Sequence, residues 1–142
     1  MCAAILIKGK VLRPSKPVGV HSPKGELRAP WAGFARNEIR SWWEKRGLTP
    51  VDVPAEQFAE RSDKDGKLRW APVPSGLVLR GMCEERNGLF VVRMVTRAAL
   101  PPELNEFEHE RMPVLEEPLF SAAFIDLVED LHSALLLPGL DL

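Results

Sequence analysis

The chain has 142 residues, of which 45% are hydrophobic and 27% charged, with a formal net charge of −1. That is enough for one compact domain spanning residues 1–142 with its own core. No stretch approaches the roughly 20 apolar residues of a membrane span, and no basic segment followed by an apolar run stands near the start, so a cytoplasmic protein with no membrane partner is expected. Two cysteines, Cys2 and Cys83, lack C-x-x-C spacing, which argues against a disulfide framework or a structural metal. The near-zero net charge hides a split: residues 1–71 carry 14 Lys+Arg against 8 Asp+Glu (+6), and residues 72–142 carry 5 against 12 (−7). A local anion-binding face in the first half fits this split, as does solvated charge that folding intermixes.

Ala3-Ala4-Ile5-Leu6-Ile7 predicts a first strand, and Lys8-Gly9-Lys10 a tight turn into a second strand at Val11-Leu12. Residues 13–30, with Pro14, Pro17, Pro23, Gly19 and Gly25, read as an extended loop with little regular structure. Ile39, Trp42 and Trp43 at helical spacing, stopped by Gly47, predict a short helix over 36–46 whose tryptophans pack in the core. Val51-Asp52-Val53 is a brief strand leading 54–61 into a bend before the polar turn at 62–66.

Residues 77–84 and 89–96, joined through Arg86-Asn87-Gly88, carry the strongest hairpin signal, because Asn-Gly suits a type I′ turn. Cys83 falls among core residues there. Residues 98–107 predict a short helix with Pro101 and Pro102 in its first turn, and 112–115 another strand. In the tail, Phe120, Phe124, Leu127, Val128, Leu131 and Leu135 form one stripe of an amphipathic helix over 119–137, expected to pack on its own domain. Together these elements predict an α+β fold.

Cys2 carries distinctive chemistry. If Met1 is trimmed, which the small Cys2-Ala3 junction favours, the chain begins with an α-amine beside a thiol, whose ordinary pKa values are about 8 and about 8.5. A 1,2-aminothiol condenses with an aldehyde, amine first and thiol second, to close a thiazolidine ring. The alternative reading makes Cys2 a small buried hydrophobe at the start of a strand.

Met1-Cys2 is joined far downstream by Glu108-His109-Glu110-Arg111-Met112-Pro113-Val114, after the apolar strand Phe90-Val91-Val92-Arg93-Met94-Val95-Thr96. The segment resembles the H-D-R-M-P-V/L signature of the SOS response-associated peptidase (SRAP) family, whose members also begin Met-Cys. Two further stretches are similar to that family: residues 53–60, with Glu60 at the position of its catalytic glutamate, and Ala35-Arg36-Asn37-Glu38, similar to N-A-R-x-E. Trp31-Ala32-Gly33 resembles its upstream Trp-Gly element. The resemblance covers most of residues 2–117 in patches. Phe34 stands where the pattern has Asn, Ala3-Ala4 where it has Gly-Arg, Ala59 and Arg61 where it has aromatics around the glutamate, and the family's later C-terminal element has no counterpart.

The resemblance implies a mixed α+β domain with a curved β core and flanking helices, and a DNA damage response activity. In such proteins the N-terminal cysteine captures the ring-opened aldehyde of an abasic site in single-stranded DNA as a thiazolidine crosslink. By it, Cys2 supplies amine and thiol, Glu60 holds the amine and moves protons, and His109 acts as acid or base. Arg36, Arg111 and Trp31 contact DNA, with Glu38 in support; no cofactor or metal is implied, and a monomer is favoured. The family name also implies peptidase action, here limited to release of Met1. Glutamine amidotransferases that start Met-Cys-Gly are a poorer match, since Ala3 replaces their Gly and the chain is short for their layered domain. A binding module of the same fold without crosslinking, and a subunit of a larger assembly held by the apolar tail, are the competing readings.

Overall fold

The computed structural model describes residues 2–120 and 122–135. The first antiparallel sheet has the order β2-β1-β6-β7, built from β1 (Cys2–Ile7), β2 (Lys10–Leu12), β6 (Gln57–Arg61) and β7 (Leu68–Pro72). Lys8 and Gly9, both at positive φ, make the expected tight turn between β1 and β2.

The second sheet is mixed and closes on itself. Strands β3 (Pro17–Ser22), β4 (Gly25–Arg36), β5 (Thr49–Val53), β8 (Val78–Arg86) and β9 (Leu89–Ala98) follow the cycle β9-β4-β3-β5-β8, and β8 pairs back onto β9. All neighbours are antiparallel except β4 and β9, which run parallel. Closure leaves these five strands without a free edge. Two short strands, β10 (Arg111–Pro113) on β9 and β11 (Leu115–Glu116) on β8, flank the seam. The helices are α1 (Arg40–Lys45), entered through a 3-10 turn at Asn37–Ile39, α2 (Pro101–Phe107) and α3 (Ala122–Leu135). The α+β expectation therefore holds.

The core joins both sheets: Cys2, Ile5 and Phe58 from the first pack with Val18, Val20, Trp31, Val53, Val92 and Met94 from the second. Gly81 marks the tightest approach inside the barrel, where an added Cβ would lie 2.9 Å from Val92 and 3.2 Å from Val51 and Val53.

Four sequence expectations need correction. Residues 13–30 are largely strand. Val18 and Val20 alternate inward opposite Leu27 and Ala29, and Pro17 faces Pro30. One position away the Trp31 N–H donates to the Lys16 carbonyl, so the two prolines fall at a non-hydrogen-bonded pair, where neither needs a donor. Residues 57–61 are also strand rather than bend, because β6 is sandwiched between β1 and β7.

The strand expected over 112–115 is two pieces. Pro113 ends pairing with β9, and Val114 bridges the seam by donating to Val95 and accepting from Arg80. Finally, α3 docks on Ile125, its one buried residue, with Val128 over the Gly25 turn, while Phe124, Leu127, Leu131 and Leu135 of the predicted stripe face outward. Polar ties set this rotation: Asp52 accepts the N–H groups of Leu119 and Phe120, and Glu129 accepts the N–H of Glu26. Residues 136 and 137 of the predicted helix lie outside the described residues. Of the two tryptophans of α1, Trp43 packs against a buried cluster, whereas Trp42 is exposed with Arg46 stacked 3.8 Å from its ring centroid.

Candidate functional site

The site forms where the first sheet meets the segment between α2 and β10. Strand pairing sets its base: Cys2 opens β1 directly opposite Glu60 of β6. Both are fully buried. Burial first, and the Glu60 charge second, push the Cys2 thiol well above its ordinary value, so it is held as S–H at neutral pH. Burial likewise raises the Glu60 carboxyl to about 7, helped by Asp63 and opposed by the positive amino terminus. A carboxyl titrating there can both give and accept a proton at working pH.

His109 arrives by a backbone device. Helix α2 begins with Pro101 and Pro102, where missing N–H groups cost nothing, and Glu103 accepts the Leu100 N–H while gripped by both arms of Arg97 at 2.7 Å. It ends at Phe107, and Glu108 takes the left-handed conformation (φ +53°), costing about 1–2 kcal/mol for a residue with a side chain. That bend is held by contacts to the turn after β6: the Glu108 carbonyl accepts the Asp63 N–H, and its carboxylate accepts the Ser62 hydroxyl.

The turn sends the His109 ring toward the first sheet, with Nδ1 4.0 Å from Glu60 Oε2 and Nε2 3.8 Å from Asp63 Oδ1. Nδ1 lies 3.0 Å from the Arg111 backbone nitrogen and 3.1 Å from the Arg111 carbonyl oxygen, so that one backbone residue fixes the ring's orientation. Phe58 and Phe107, each two residues before a site residue, pack with ring centroids 5.9 Å apart and so lock Glu60 and His109 in register.

An open groove of about 340 Å³ lies over this cluster, lined by Cys2, Ala3, Phe34, Pro14, His109 and the guanidinium-bearing residues Arg13 and Arg61. Phe34 provides its aromatic wall. Trp31, expected to touch DNA, is instead buried: its Nε1–H donates to the Gly33 carbonyl and its ring stands edge-on behind Phe34, 6.0 Å between centroids. Burial leaves that indole no face for a base.

Arg36 is exposed at the end of β4, opposite Thr96, and is not part of the groove wall. Arg111 is committed elsewhere. Its guanidinium grips Glu38 at 3.1 and 2.9 Å and donates to the Thr96 carbonyl and hydroxyl. The same contact holds the Glu38 carboxyl below its usual range. Arg111 and Glu38 thus brace β10 against the turn after β4 and leave cation duty in the groove to Arg13 and Arg61. Arg13 stands in no recognisable motif, and Arg61 appears in the sequence only as a departure from the aromatic expected after Glu60; the further signal for both is the basic excess of the first half.

Chemically, the cluster offers a thiol, a carboxyl poised near neutrality and an imidazole within about 4 Å of it, beneath a groove with an aromatic wall and two cations. Among the described residues, no group of three or more His, Cys, Asp and Glu side chains is placed to hold a metal ion, and no helix is long and apolar enough to cross a membrane. A scan against protein-family models gives no match, and a search of curated proteins finds none similar to this chain.

Proposed function

We propose that the chain is a divergent relative of the SRAP family that captures abasic sites in single-stranded DNA through a thiazolidine formed by Cys2. The observation that carries this reading is the convergence of Cys2, Glu60 and His109, residues 2, 60 and 109 of the sequence, beneath one groove. The reading requires removal of Met1, so that the amine belongs to Cys2.

The uncharged amine attacks the aldehyde carbon of the ring-opened sugar, and loss of water gives an iminium. The Cys2 sulfur then adds to the iminium carbon, and its proton leaves through Glu60. The net reaction joins aldehyde and aminothiol with release of one water. A thiol held as S–H suits this order, because the amine acts first and the sulfur is needed only once the electrophile is in place. Glu60, raised by burial, serves as base for the thiol and as acid for departing water. His109 faces the groove as the proton donor for sugar opening. Arg13 and Arg61 pair with flanking phosphates, and Phe34 stacks on a neighbouring base, the usual combination for a single strand.

The test mixes Met1-free protein with single-stranded DNA carrying one abasic site and reads a denaturing gel. A shifted band that requires both Cys2 and the lesion supports the reading. Absence of the band, with the Cys2 amino terminus verified by mass spectrometry, overturns it. A second reading, a groove that binds single strands without covalent capture, draws on the complete burial of the Cys2 thiol; it predicts binding on a native gel that Cys2→Ala leaves unchanged.

A further inference from the structure

A second crevice, of about 160 Å³, lies between the β1–β2 hairpin and the outer face of the β3–β4 hairpin. Lys8, Lys10, His21, Arg28, Glu26 and Leu12 are among its walls. It sits at the far end of β1 from Cys2, roughly 17 Å away at about 3.3 Å per strand residue. The two cavities adjoin along the chain: Leu12 lines this one, and its neighbours Arg13 and Pro14 line the groove over Cys2.

We infer that this crevice is a phosphate site for the same single strand, so that DNA leaves the Cys2 groove past Arg13 and runs along β2 to Lys10, Lys8 and Arg28. The inference rests on the proposed function for its end point.

Three observations carry it. First, Lys8, Lys10 and Arg28 are exposed, and among the described residues none of them is ion-paired with a carboxylate, unlike Arg40, Arg69, Arg80, Arg97 and Arg111. Cations left unpaired and gathered round a concavity fit a polyanion. Second, their placement is built. The Lys8 N–H donates to Glu56 Oε1 at 2.8 Å, fixing the hairpin tip, and the register pairs Lys10 with Ile7, while Arg28 stands opposite Gly19. Third, Gly19 leaves the floor open, and the Glu26 side chain lies over it, with Oε1 2.8 Å from where a Cβ would be. Glu26 is the one carboxylate among the wall residues, against three cations. Its position makes it a brake on anion binding, which supplies a test with a sign opposite to that of the cations.

The experiment measures the salt dependence of binding to single-stranded DNA with an abasic site, for wild type, the triple variant Lys8→Ala, Lys10→Ala, Arg28→Ala, and Glu26→Gln. At about 0.7 counterions released per single-strand phosphate contact, the triple variant lowers the slope of log K against log salt by about 2. Glu26→Gln tightens binding. Trimming the DNA one nucleotide at a time on each side of the lesion erases the difference between wild type and triple variant on one side only, the side that runs along β2. A triple variant with wild-type slope and intact Cys2 crosslinking overturns the crevice and leaves the Cys2 chemistry standing. A lowered slope in a protein that forms no crosslink keeps the crevice as a phosphate site and overturns the Cys2 reading instead.

Discussion

Two carboxylates, Asp52 and Glu60, are both fully buried, yet their surroundings differ completely. Asp52 on β5 meets the guanidinium of Arg80 at 2.7 Å and accepts the backbone N–H groups of Leu119 and Phe120. Arg80 gives further hydrogens to Val51, Glu116 and Glu117. Every bond there ties one element to another: β5 to β8, to β11 and to the approach to α3. Around Glu60 stand a thiol, an imidazole and a second carboxylate, and the result is a proton affinity near neutral pH. The same residue chemistry, at the same depth, is a rivet in one place and a carboxyl raised toward neutrality in the other; Asp52 is met by a guanidinium at close range, whereas at Glu60 the positive amino terminus offsets burial only in part.

The largest effect should come from breaking the rivet. Arg80→Met strands the Asp52 charge and is expected to cost about 3–5 kcal/mol in urea unfolding, whereas adding Asp52→Leu to it restores much of the loss. Glu60→Gln should act in the opposite direction. A carboxyl raised from 4.5 to about 7 binds its proton more tightly folded than unfolded, so its burial favours folding at low pH. That contribution fades as pH rises from 4.5 through 7. The variant, neutral throughout, should therefore gain up to about 3 kcal/mol over wild type at pH 8 and little below pH 4.5, seen as a pH-dependent difference in Tm.

The same substitution should abolish the crosslink, and the wild-type crosslinking rate should change across pH 7. Gain of stability with loss of activity marks a functional carboxylate. Gly81→Ala, which touches neither carboxylate, should cost about 1–3 kcal/mol by overfilling the barrel between β5 and β9, and leave the pH profile unmoved. The smallest effect belongs to Glu38→Ala. Its partner Arg111 keeps its bonds to Thr96, so unfolding should shift by no more than about 1 kcal/mol.

Local signals were legible in the sequence and remote ones were not. The β8–β9 hairpin could be read because Asn87 and Gly88 hold the positive φ values that their side chains favour, and α2 because its prolines sit in its first turn. Strands β3 and β4 were hidden by prolines, whose tolerance depends on which pairs in a ladder carry hydrogen bonds. The parallel β4–β9 pairing, which closes the barrel between residues 31–36 and 92–96, leaves no trace in either segment alone.

At the site, Cys2, Glu60 and His109 could be named because motifs marked them. Arg13 and Arg61 could not, since which cations line a groove depends on how strands lie together in space. Folding does not cancel the charge split: Arg80–Asp52 and Arg111–Glu38 take two carboxylates from the first half and Arg40–Glu116 only one cation. The cations around β1 and β2 are part of that excess.

The pairing of Cys2 with Glu60 also fixes an order of events during synthesis. Strand β1 finds β6 only after residue 61 has left the ribosome, and the groove is complete only once His109 has followed. Until then Cys2 belongs to free chain; afterwards it is a buried residue at the floor of the groove, so the site's thiol takes its surroundings only when the last of the three residues has been made.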